Sequence, residues 1–247
     1  MTENFVHQDC MEYLASLSDN SVDMVLTDPP YFIGYDGGDG WDHQWKFEDA
    51  YLHWCFEWTR ECVRVLKPNR MMIVWGTFKH DTFMKYILNI SGANSFSSLK
   101  RQNEIIWSYN WGGRARNNFA RKHEYAFCFS KGEDFLFNGD DVRIDRKVTK
   151  SLRDGAEYNS GTIPTCVWEK NNHTMSKDHC GWHPTTKNID LLQRMIMAYT
   201  NPNDTVLDIF MGSGSTAIAA VRSGRQYMGC DNNLDYYARA CERIFLG

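Results

Sequence analysis

The chain has 247 residues, of which 43% are apolar and 23% are charged, and its net charge is −4. This composition is typical of a globular protein with a full hydrophobic core, and the length suits one large domain. The charge excludes a surface that is basic throughout. No apolar run approaches the roughly 20 residues that cross a bilayer, and the N-terminus lacks the pattern of a secretory signal. We therefore expect a cytoplasmic protein with no membrane segment.

Strands and helices are predicted to alternate along most of the chain. The N-terminal part predicts a strand over 4–9, a helix over 10–17, a buried strand over 22–27, a helix over 47–66, a strand over 71–76 and a helix over 83–88. Two further strands are predicted over 103–109 and 125–130. The C-terminal part predicts a helix over 188–199, a strand over 205–210, a helix over 216–224, a strand over 226–233 and a helix over 235–245. This alternation predicts an α/β fold, with a mostly parallel sheet covered on both faces.

Two segments interrupt this alternation. Residues 110–123 form a glycine-bearing loop whose basic side chains are Arg114, Arg116, Arg121 and Lys122. Such a stripe fits a surface that contacts phosphates and a solvated face equally well. Residues from about 139 to 181 show no strong period, and we predict an inserted segment over about 132–181.

Eight cysteines are scattered along the chain, and none forms a Cys-x-x-Cys pair. In a chain of this length without a secretory signal, we expect reduced thiols. One polar stretch does combine residue types that bind zinc, namely Cys166, His173, His179, Cys180 and His183. Their spacing matches no common zinc site, so we predict a polar loop and no metal.

A glycine loop follows a buried strand near the C-terminus. Asp208 lies near the end of the strand, Gly212 and Gly214 follow, and a helix comes next. Glycines permit a sharp turn and the close approach of a ligand. Asp231, near the end of the following strand, is placed to accept hydrogen bonds from ribose hydroxyls. Because the third glycine of the dinucleotide fingerprint and the lysine of a phosphate-binding loop are missing, we predict a pocket for another nucleoside cofactor. A glycine turn that binds no ligand is the alternative.

The stretch Asp28-Pro29-Pro30-Tyr31 follows the buried strand over 22–27. The Asp28 carboxylate and the proline carbonyls form a rigid group of acceptors, and Tyr31 adds a flat ring. This set suits the exocyclic amine of a planar base. Asp28 and the Pro29 carbonyl would accept its two hydrogens, and the nitrogen lone pair would then face an electrophilic carbon. A base inside a duplex must be flipped out to reach such a group. A turn that merely ends the strand is the alternative.

Several ordered motifs resemble those of the beta-class DNA amino-methyltransferases, which modify N6 of adenine or N4 of cytosine. Residues 28–31 resemble their catalytic motif, the sequence DIFMGSGST over 208–216 resembles the motif that binds S-adenosylmethionine, and HPTTK over 183–187 resembles a further motif. Because the catalytic motif precedes the cofactor motif, the arrangement resembles the circularly permuted class of this family. The resemblance covers most of the chain outside the inserted segment.

The resemblance implies a Rossmann-like methyltransferase fold in one domain, 1–247, with a seven-stranded sheet that contains one antiparallel strand. It implies that Asp28, Pro29, Pro30 and Tyr31 are catalytic. It also implies a set of side chains that bind S-adenosylmethionine: Asp9, Cys10, Asp28, Thr185, Lys187, Asp208, Phe210, Gly212, Ser213, Gly214 and Asp231. Thr185 and Lys187 would reach the cofactor carboxylate. The segment 132–181 would recognise the target sequence, and the basic loop over 110–123 would contact DNA.

Family members whose catalytic motif begins with Asp mostly modify adenine. The predicted function is therefore site-specific methylation of adenine N6 in double-stranded DNA. Cytosine N4 is the alternative, and an amine of RNA or of a protein amide is a further one. A DNA-binding module that has lost catalysis is a hypothesis of another class. The family commonly forms dimers, so we expect a homodimer. The chain has no cleavage motif, and we expect methylation alone.

Overall fold

The protein is described from a computed structural model that covers residues 4–34, 38, 40–81, 84, 85, 87, 99–110, 115–145, 161–169 and 178–246. The strands are β1 (Phe5–His7), β2 (Val22–Thr27), β3 (Leu66–Gly76), β4 (Leu99–Ser108), β5 (His123–Lys131), β6 (Val167–Glu169), β7 (Thr205–Asp208) and β8 (Gln226–Asp231). The helices are α1 (Cys10–Ser16), α2 (Glu48–Val65), α3 (Ile189–Tyr199), α4 (Ser215–Arg222) and α5 (Leu234–Leu246). Short 3-10 helices cover Trp41–His43 and Gly139–Val142.

All eight strands belong to one sheet with the order β1-β8-β7-β2-β3-β5-β4-β6. Among the described strands, β5 alone runs antiparallel to both of its neighbours, which confirms the predicted single antiparallel strand. The predicted count of seven strands is wrong, because β6 adds an eighth strand beside β4. Three residues are too few for their alternation to be visible in the sequence. Their place in the sheet depends on pairing with β4 and on the burial of Trp168.

Each face of the sheet carries its own apolar cluster, because successive residues of a strand point to opposite faces. In β2, Val25 packs in the cluster that contains side chains of α1 and α2. Met24 and Leu26 pack in the cluster that contains side chains of α3 and α4. Phe5 of β1 packs with Ala240 of α5 in a third cluster. The predicted covering of both faces by helices is therefore confirmed, and none of the described helices is long and apolar enough to cross a membrane.

Several boundaries differ from the predicted ones. β3 begins at Leu66 and not at residue 71, since its polar start is held to the sheet by Lys67 and Arg70, whose side-chain nitrogens lie 2.8 and 3.2 Å from Oδ1 of the buried Asp23. The predicted helix over 83–88 falls largely outside the described residues. The segment 132–181 is described only in part, and it contains β6 and an isolated antiparallel bridge between Ile144 and Thr162.

The sheet brings the acidic side chains of distant parts of the chain to one edge. β2 lies beside β7, and β7 lies beside β8, all in parallel. Their carboxyl ends therefore meet at the same edge, where ligands of open α/β sheets bind. Asp28 follows β2, and Asp208 and Asp231 are the last residues of β7 and β8. The hydroxyl of Thr27 donates a hydrogen bond to Oδ1 of Asp208 at 2.7 Å, which ties the first two of these strand ends together.

Candidate active site

A cleft of about 830 Å³ opens at this edge of the sheet. Its volume lies in the range of small-molecule sites. Most of the side chains predicted to be catalytic or to bind a cofactor line it: Asp9, Cys10, Asp28, Pro29, Pro30, Tyr31, Thr185, Lys187, Asp208, Phe210, Gly212, Ser213 and Asp231. The two predicted functions therefore share one cavity.

Asp28 is the centre of a hydrogen-bonded cluster in this cleft. The Tyr31 hydroxyl donates to Oδ1 of Asp28, and the ammonium of Lys187 donates to Oδ2 at 2.5 Å. The same ammonium lies 3.3 Å from the Tyr31 oxygen and 3.1 Å from Oε2 of Glu124. Burial, followed by the nearby carboxylates of Asp28 and Glu124, raises the pKa of Tyr31 well above its ordinary value. The phenol is therefore a neutral donor that keeps its proton.

Lys187 is the cation of this cluster, and its side chain is only 8% exposed. Burial alone would lower the pKa of its ammonium, but the carboxylates of Asp28 and Glu124 outweigh that effect and raise the pKa. A charged Lys187 is thus shared by two partly buried carboxylates. The structure brings Lys187 to residues 28–31, the predicted catalytic stretch. The contact of Lys187 with a cofactor carboxylate stays a prediction.

A buried aspartate fixes the backbone that follows the catalytic stretch. The carboxylate of Asp42 accepts hydrogen bonds from the backbone N–H groups of Phe32, Ile33 and Gly34 at 2.5, 2.7 and 2.7 Å. Phe32 has a φ of 50°, in the left-handed region that side chains rarely adopt. The three hydrogen bonds to one carboxylate hold this unfavourable turn in place.

The carbonyls of the two prolines are used differently. The hydroxyl of Tyr51 donates to the Pro30 carbonyl at 2.9 Å, so that oxygen already has a partner. Among the described residues, none donates a hydrogen bond to the Pro29 carbonyl. Pro29 lines the cleft beside Asp28. Both acceptors that the sequence predicts for an exocyclic amine therefore lie at the same cavity.

Two further aspartates form the other part of the cleft. Besides its bond from Thr27, Oδ1 of Asp208 accepts the N–H of Phe210 at 3.1 Å, but burial raises the pKa of its carboxyl to about 6. Asp231 accepts the N–H groups of Gly212 and Asn233 at 2.7 and 2.9 Å. Burial raises the pKa of Asp231 as well, against the effect of these hydrogen bonds. The cleft therefore has a buried carboxylate, Asp208, and a partly buried one, Asp231, beside the glycine loop.

The glycine loop requires its glycines for two different reasons. Gly212 has a φ of 49°, and a Cβ there would lie 2.8 Å from Nε2 of His183. Gly214 has a φ of 78° and precedes α4, where a Cβ would lie 3.1 Å from the side chain of Ile244. Gly212 lines the cleft and keeps it open, whereas Gly214 is not among the lining residues and permits packing against α5.

Comparison with known proteins decides the family. Residues 22–242 match a family model described as DNA methylase. This chain belongs to the N6/N4 DNA methylase family. The methylase is 32% identical to DNA adenine methyltransferase YhdJ of Escherichia coli (strain K12), over 98% of this chain and 82% of that protein. It is 31% identical to Type II methyltransferase M.HpaI of Haemophilus parainfluenzae, over 99% of this chain and 74% of that protein. The resemblance seen in the motifs is confirmed.

Solved structures share the fold of the methylase. The M1.HpyAVI-SAM complex has a TM-score of 0.66 and 24% identity, over 98% of both chains. PvuII DNA methyltransferase, which is cytosine-N4-specific, has a TM-score of 0.73 and 17% identity, over 97% of this chain and 85% of that one. The Rossmann-like methyltransferase fold is therefore confirmed, and the family makes the chain an S-adenosylmethionine-dependent DNA methyltransferase.

The residues of the cleft fit this cofactor. Two carboxylates at strand ends, the buried Asp208 and the partly buried Asp231, suit a nucleoside with a polar chain. A side chain at Gly212 would obstruct the loop. Cys10 lines the cleft as a neutral thiol, because burial and then Asp9 raise its pKa to about 12. Asp9 itself caps α1 through the N–H of Met11 at 2.8 Å. Thr185 also lines the cleft, and its N–H donates to Nδ1 of His183 at 3.3 Å.

Of the basic side chains predicted to contact DNA, the structure brings Arg121 to the cleft. Its guanidinium lies 4.1 Å from the centre of the Phe78 ring. Arg116 is exposed on the same loop, and Lys122 donates to the Asn110 carbonyl at 3.0 Å. Arg114 lies outside the described residues. The basic loop therefore adjoins the mouth of the cleft through Arg121.

The stretch considered for zinc shows no such site among the described residues, where no group of three or more possible ligands converges. The thiol of Cys180 lies 2.9 Å from the Thr186 hydroxyl, and Cys166 is exposed. His173 lies outside the described residues.

Sequence reasoning missed Glu124, Asp42 and Tyr51. Glu124 precedes the strand predicted over 125–130, and the structure extends β5 back to His123 to include it. Asp42 is one of several acidic residues in a loop rich in Gly and Asp, and no spacing rule distinguishes it from the others. Tyr51 lies in the helix predicted over 47–66, and its ring packs in the core. Its hydroxyl donates to the Pro30 carbonyl, and nothing in the sequence of the helix indicates that contact.

Proposed function

We propose that this methylase transfers a methyl group to N6 of adenine in double-stranded DNA. The observation that carries the proposal is the pair of acceptors at the cleft, the Asp28 carboxylate and the Pro29 carbonyl. They lie in the same cavity as the glycine loop and the two strand-end carboxylates, Asp208 and Asp231, that suit the cofactor. The choice of adenine is supported by the similarity to a protein named as a DNA adenine methyltransferase, and by the Asp that begins the catalytic motif. Cytosine N4 is the second candidate, because both amines present two hydrogens to the same acceptors.

The arrangement explains how the amine is held. A carboxylate has about four lone-pair sites, and Tyr31 and Lys187 each occupy one of them on Asp28. Asp28 therefore keeps acceptor capacity for one hydrogen of the amine, and the Pro29 carbonyl accepts the other. Bound S-adenosylmethionine supplies the electrophilic methyl group. Holding the amine in one orientation beside it supplies much of the acceleration, since alignment removes most of the entropy cost of the reaction.

The Tyr31 ring is proposed to lie against the flipped base. Its hydroxyl is bound to Asp28 and close to Lys187, so the orientation of the ring is tied to the orientation of the carboxylate. A base that enters the cleft then meets the acceptors and the aromatic surface together. Stacking on an aromatic side chain is tolerant of base identity, so this contact serves adenine and cytosine alike.

DNA is proposed to bind across the basic loop. Arg114, Arg116, Arg121 and Lys122 would contact phosphates or bases, and the segment 132–181 would recognise the target sequence. The assembly as a homodimer and a location in the cytoplasm stay predictions. Phosphate contacts of this kind make affinity fall as the salt concentration rises.

Methyl transfer from labelled S-adenosylmethionine to unmodified genomic DNA, followed by digestion to nucleosides, tests the proposal. We expect the label in 6-methyladenine and none with the Asp28→Ala variant. Label in 4-methylcytosine would show that the substrate is cytosine N4 and not adenine N6. Absence of label from every DNA base, with the cofactor still bound, would turn the search to RNA or protein amides, and binding of DNA without any consumption of cofactor would indicate a silent module.

A further inference from the structure

Phe119 is the most exposed large apolar side chain of the described residues, with 95% of its surface in contact with solvent. It lies on the basic loop, between Arg116 and Arg121, and follows two exposed asparagines. Burying an apolar ring usually stabilises the folded protein. A ring that is almost fully exposed to solvent contributes nothing to that stability. Large exposed apolar groups of this kind mark surfaces that bind another molecule.

The position of Phe119 relative to the cleft follows from its neighbour. Arg121 lines the cleft, and its guanidinium lies over the ring of Phe78, which also lines the cleft and is 52% exposed. Two residues of chain span at most about 7 Å. The backbone of Phe119 therefore lies within that distance of a residue at the cleft mouth. The loop that carries Phe119 therefore reaches the cleft that contains Asp28.

The surroundings distinguish Phe119 from the other exposed phenylalanines. Phe47 is 72% exposed but is followed by two acidic residues at the start of α2. Phe245 is 78% exposed but lies near the end of α5 and is not among the side chains that line the cleft. Only Phe119 of these three combines an exposed ring with a basic loop that reaches the cleft. Cationic side chains around an apolar ring match the phosphates and the stacked bases of a nucleic acid duplex.

We propose that Phe119 inserts into the base stack of the substrate DNA at the place that the target base leaves. The inference rests on the proposed function, because it assumes a duplex from which one base is flipped. Flipping breaks one base pair and the stacking on both sides of it. A ring that enters the gap stacks on the neighbouring bases and keeps the target base from returning. Phe119 is then a positioning residue, whereas Asp28 and the Pro29 carbonyl touch the reacting amine.

The test compares two DNA duplexes that carry a site mapped from genomic DNA methylated by the wild-type protein. In one duplex the target base is paired, and in the other it stands opposite an abasic position, so that less work is needed to flip it. We expect Phe119→Ala to lower kcat/KM by about 10- to 100-fold on the paired duplex, the change that the loss of one base–aromatic stack gives. On the second duplex we expect the variant to recover most of the wild-type value. Phe119→Trp should stay close to wild type on both.

A second readout follows the base itself. With 2-aminopurine at the target position, the wild-type protein should raise the fluorescence as the base leaves the stack, and Phe119→Ala should raise it much less at saturating protein. Phe245→Ala and Phe47→Ala are matched controls, because each removes an exposed ring that is not on the basic loop. Both controls should behave as wild type in both assays.

The outcomes separate the two proposals. If the wild-type protein labels no DNA base, the proposed function is wrong and the role of Phe119 is wrong with it. If the wild-type protein methylates the paired duplex and Phe119→Ala does so equally well, only the role of Phe119 is wrong. An equal loss on the paired and the abasic duplex would also overturn it, since a merely structural defect affects both substrates alike.

Discussion

The ammonium of Lys187 lies 2.5 Å from Oδ2 of Asp28, although the two residues are 159 positions apart in the chain. The contact joins the catalytic stretch after β2 to the motif that precedes α3. Glu124, from β5, completes the cluster as a second carboxylate on the same ammonium. Three separate parts of the chain therefore contribute to one cluster of charged side chains. The number of positive and negative charges left in the cluster determines the effect of substituting any of them.

Lys187→Met removes the shared cation and leaves Asp28 and Glu124 without their counter-charge. Removing one partner of a buried ion pair costs about 3 to 5 kcal/mol, so we expect the free energy of unfolding to fall by about that amount and methyl transfer to be lost. Chemical denaturation and the methyl-transfer assay measure the two effects. Adding Glu124→Gln should recover part of the stability, because it removes one of the two carboxylates. If Lys187→Met alone were as stable as wild type, the cluster would not contribute to stability as we expect.

Asp28→Ala removes the central acceptor and should abolish methyl transfer. Lys187 keeps its contact with Glu124 in this variant, so we expect a folded protein that still binds S-adenosylmethionine. Isothermal titration with the cofactor and the transfer assay separate binding from catalysis. Full activity of the variant would show that the amine is held by other groups.

Asp42→Asn tests the backbone turn after the catalytic stretch. The asparagine amide keeps one acceptor oxygen. It lacks the negative charge that strengthens the hydrogen bonds from three neighbouring backbone N–H groups. Hydrogen bonds to charged groups contribute about 1.5 to 3 kcal/mol, and we expect a loss of stability in that range with a fall in kcat that exceeds any change in cofactor affinity. Thermal denaturation and steady-state kinetics provide the measurements. Asp49→Asn, at an exposed position of α2, is the matched control. It should change neither the stability nor kcat.

Asp208→Asn should stabilise the cofactor-free protein at neutral and basic pH. Burial raises the pKa of Asp208 from 3.8 to about 6. A raised pKa means that the stabilising contribution of the protonated carboxyl is present below the unfolded value and is lost as the pH rises through the folded value. Between pH 4 and pH 8 the variant should therefore gain about 2 to 3 kcal/mol relative to wild type, at about 1.36 kcal/mol per unit of pKa.

Denaturation of both proteins by urea across this pH range measures the difference directly. Parallel pH profiles would contradict the raised pKa of Asp208. We also expect the stabilised variant to bind S-adenosylmethionine less well, since a buried carboxylate at a ligand site is retained at the expense of stability.

Arg116→Ala tests the basic loop. If this exposed guanidinium contacts a phosphate, the variant should bind all DNA sequences more weakly, and the slope of log affinity against log salt concentration should become less steep by about one unit. Fluorescence anisotropy at several salt concentrations measures the slope. Arg60→Ala, on the exposed side of α2, removes the same charge away from the cleft and should leave the slope unchanged.

Features determined locally could be predicted from the sequence. β2 was predicted with its observed bounds, because a continuous buried run is ended by two prolines. The glycine loop was predicted because glycine is the residue that best adopts the left-handed backbone angles of a sharp turn. Gly212 and Gly214 both have such angles in the structure. The permuted order of the motifs and their common cavity followed from the same local patterns, together with the resemblance to a family.

Features determined by distant pairing could not be predicted. β6 is only three residues long, and it is a strand because β4 offers it an edge. The position of Lys187 depends on two carboxylates from other elements, and the motif around it suggested only a contact with the cofactor. Asp42 accepts hydrogen bonds from backbone N–H groups. Every residue except proline has such a group, so the sequence does not indicate which ones Asp42 binds.

The hydrogen bond from Thr27 to Asp208 joins the end of the strand that leads to the substrate acceptors with the end of the strand that leads to the glycine loop. The negative charge of Asp28 also contributes to the raised pKa of Asp208. Under the proposed function, the groups that bind the base and the cofactor are therefore linked by a hydrogen bond and by an electrostatic interaction. By thermodynamic linkage, any factor by which DNA alters the affinity for the cofactor must equal the factor by which the cofactor alters the affinity for DNA. A titration of either ligand in the presence of the other therefore measures the strength of this connection.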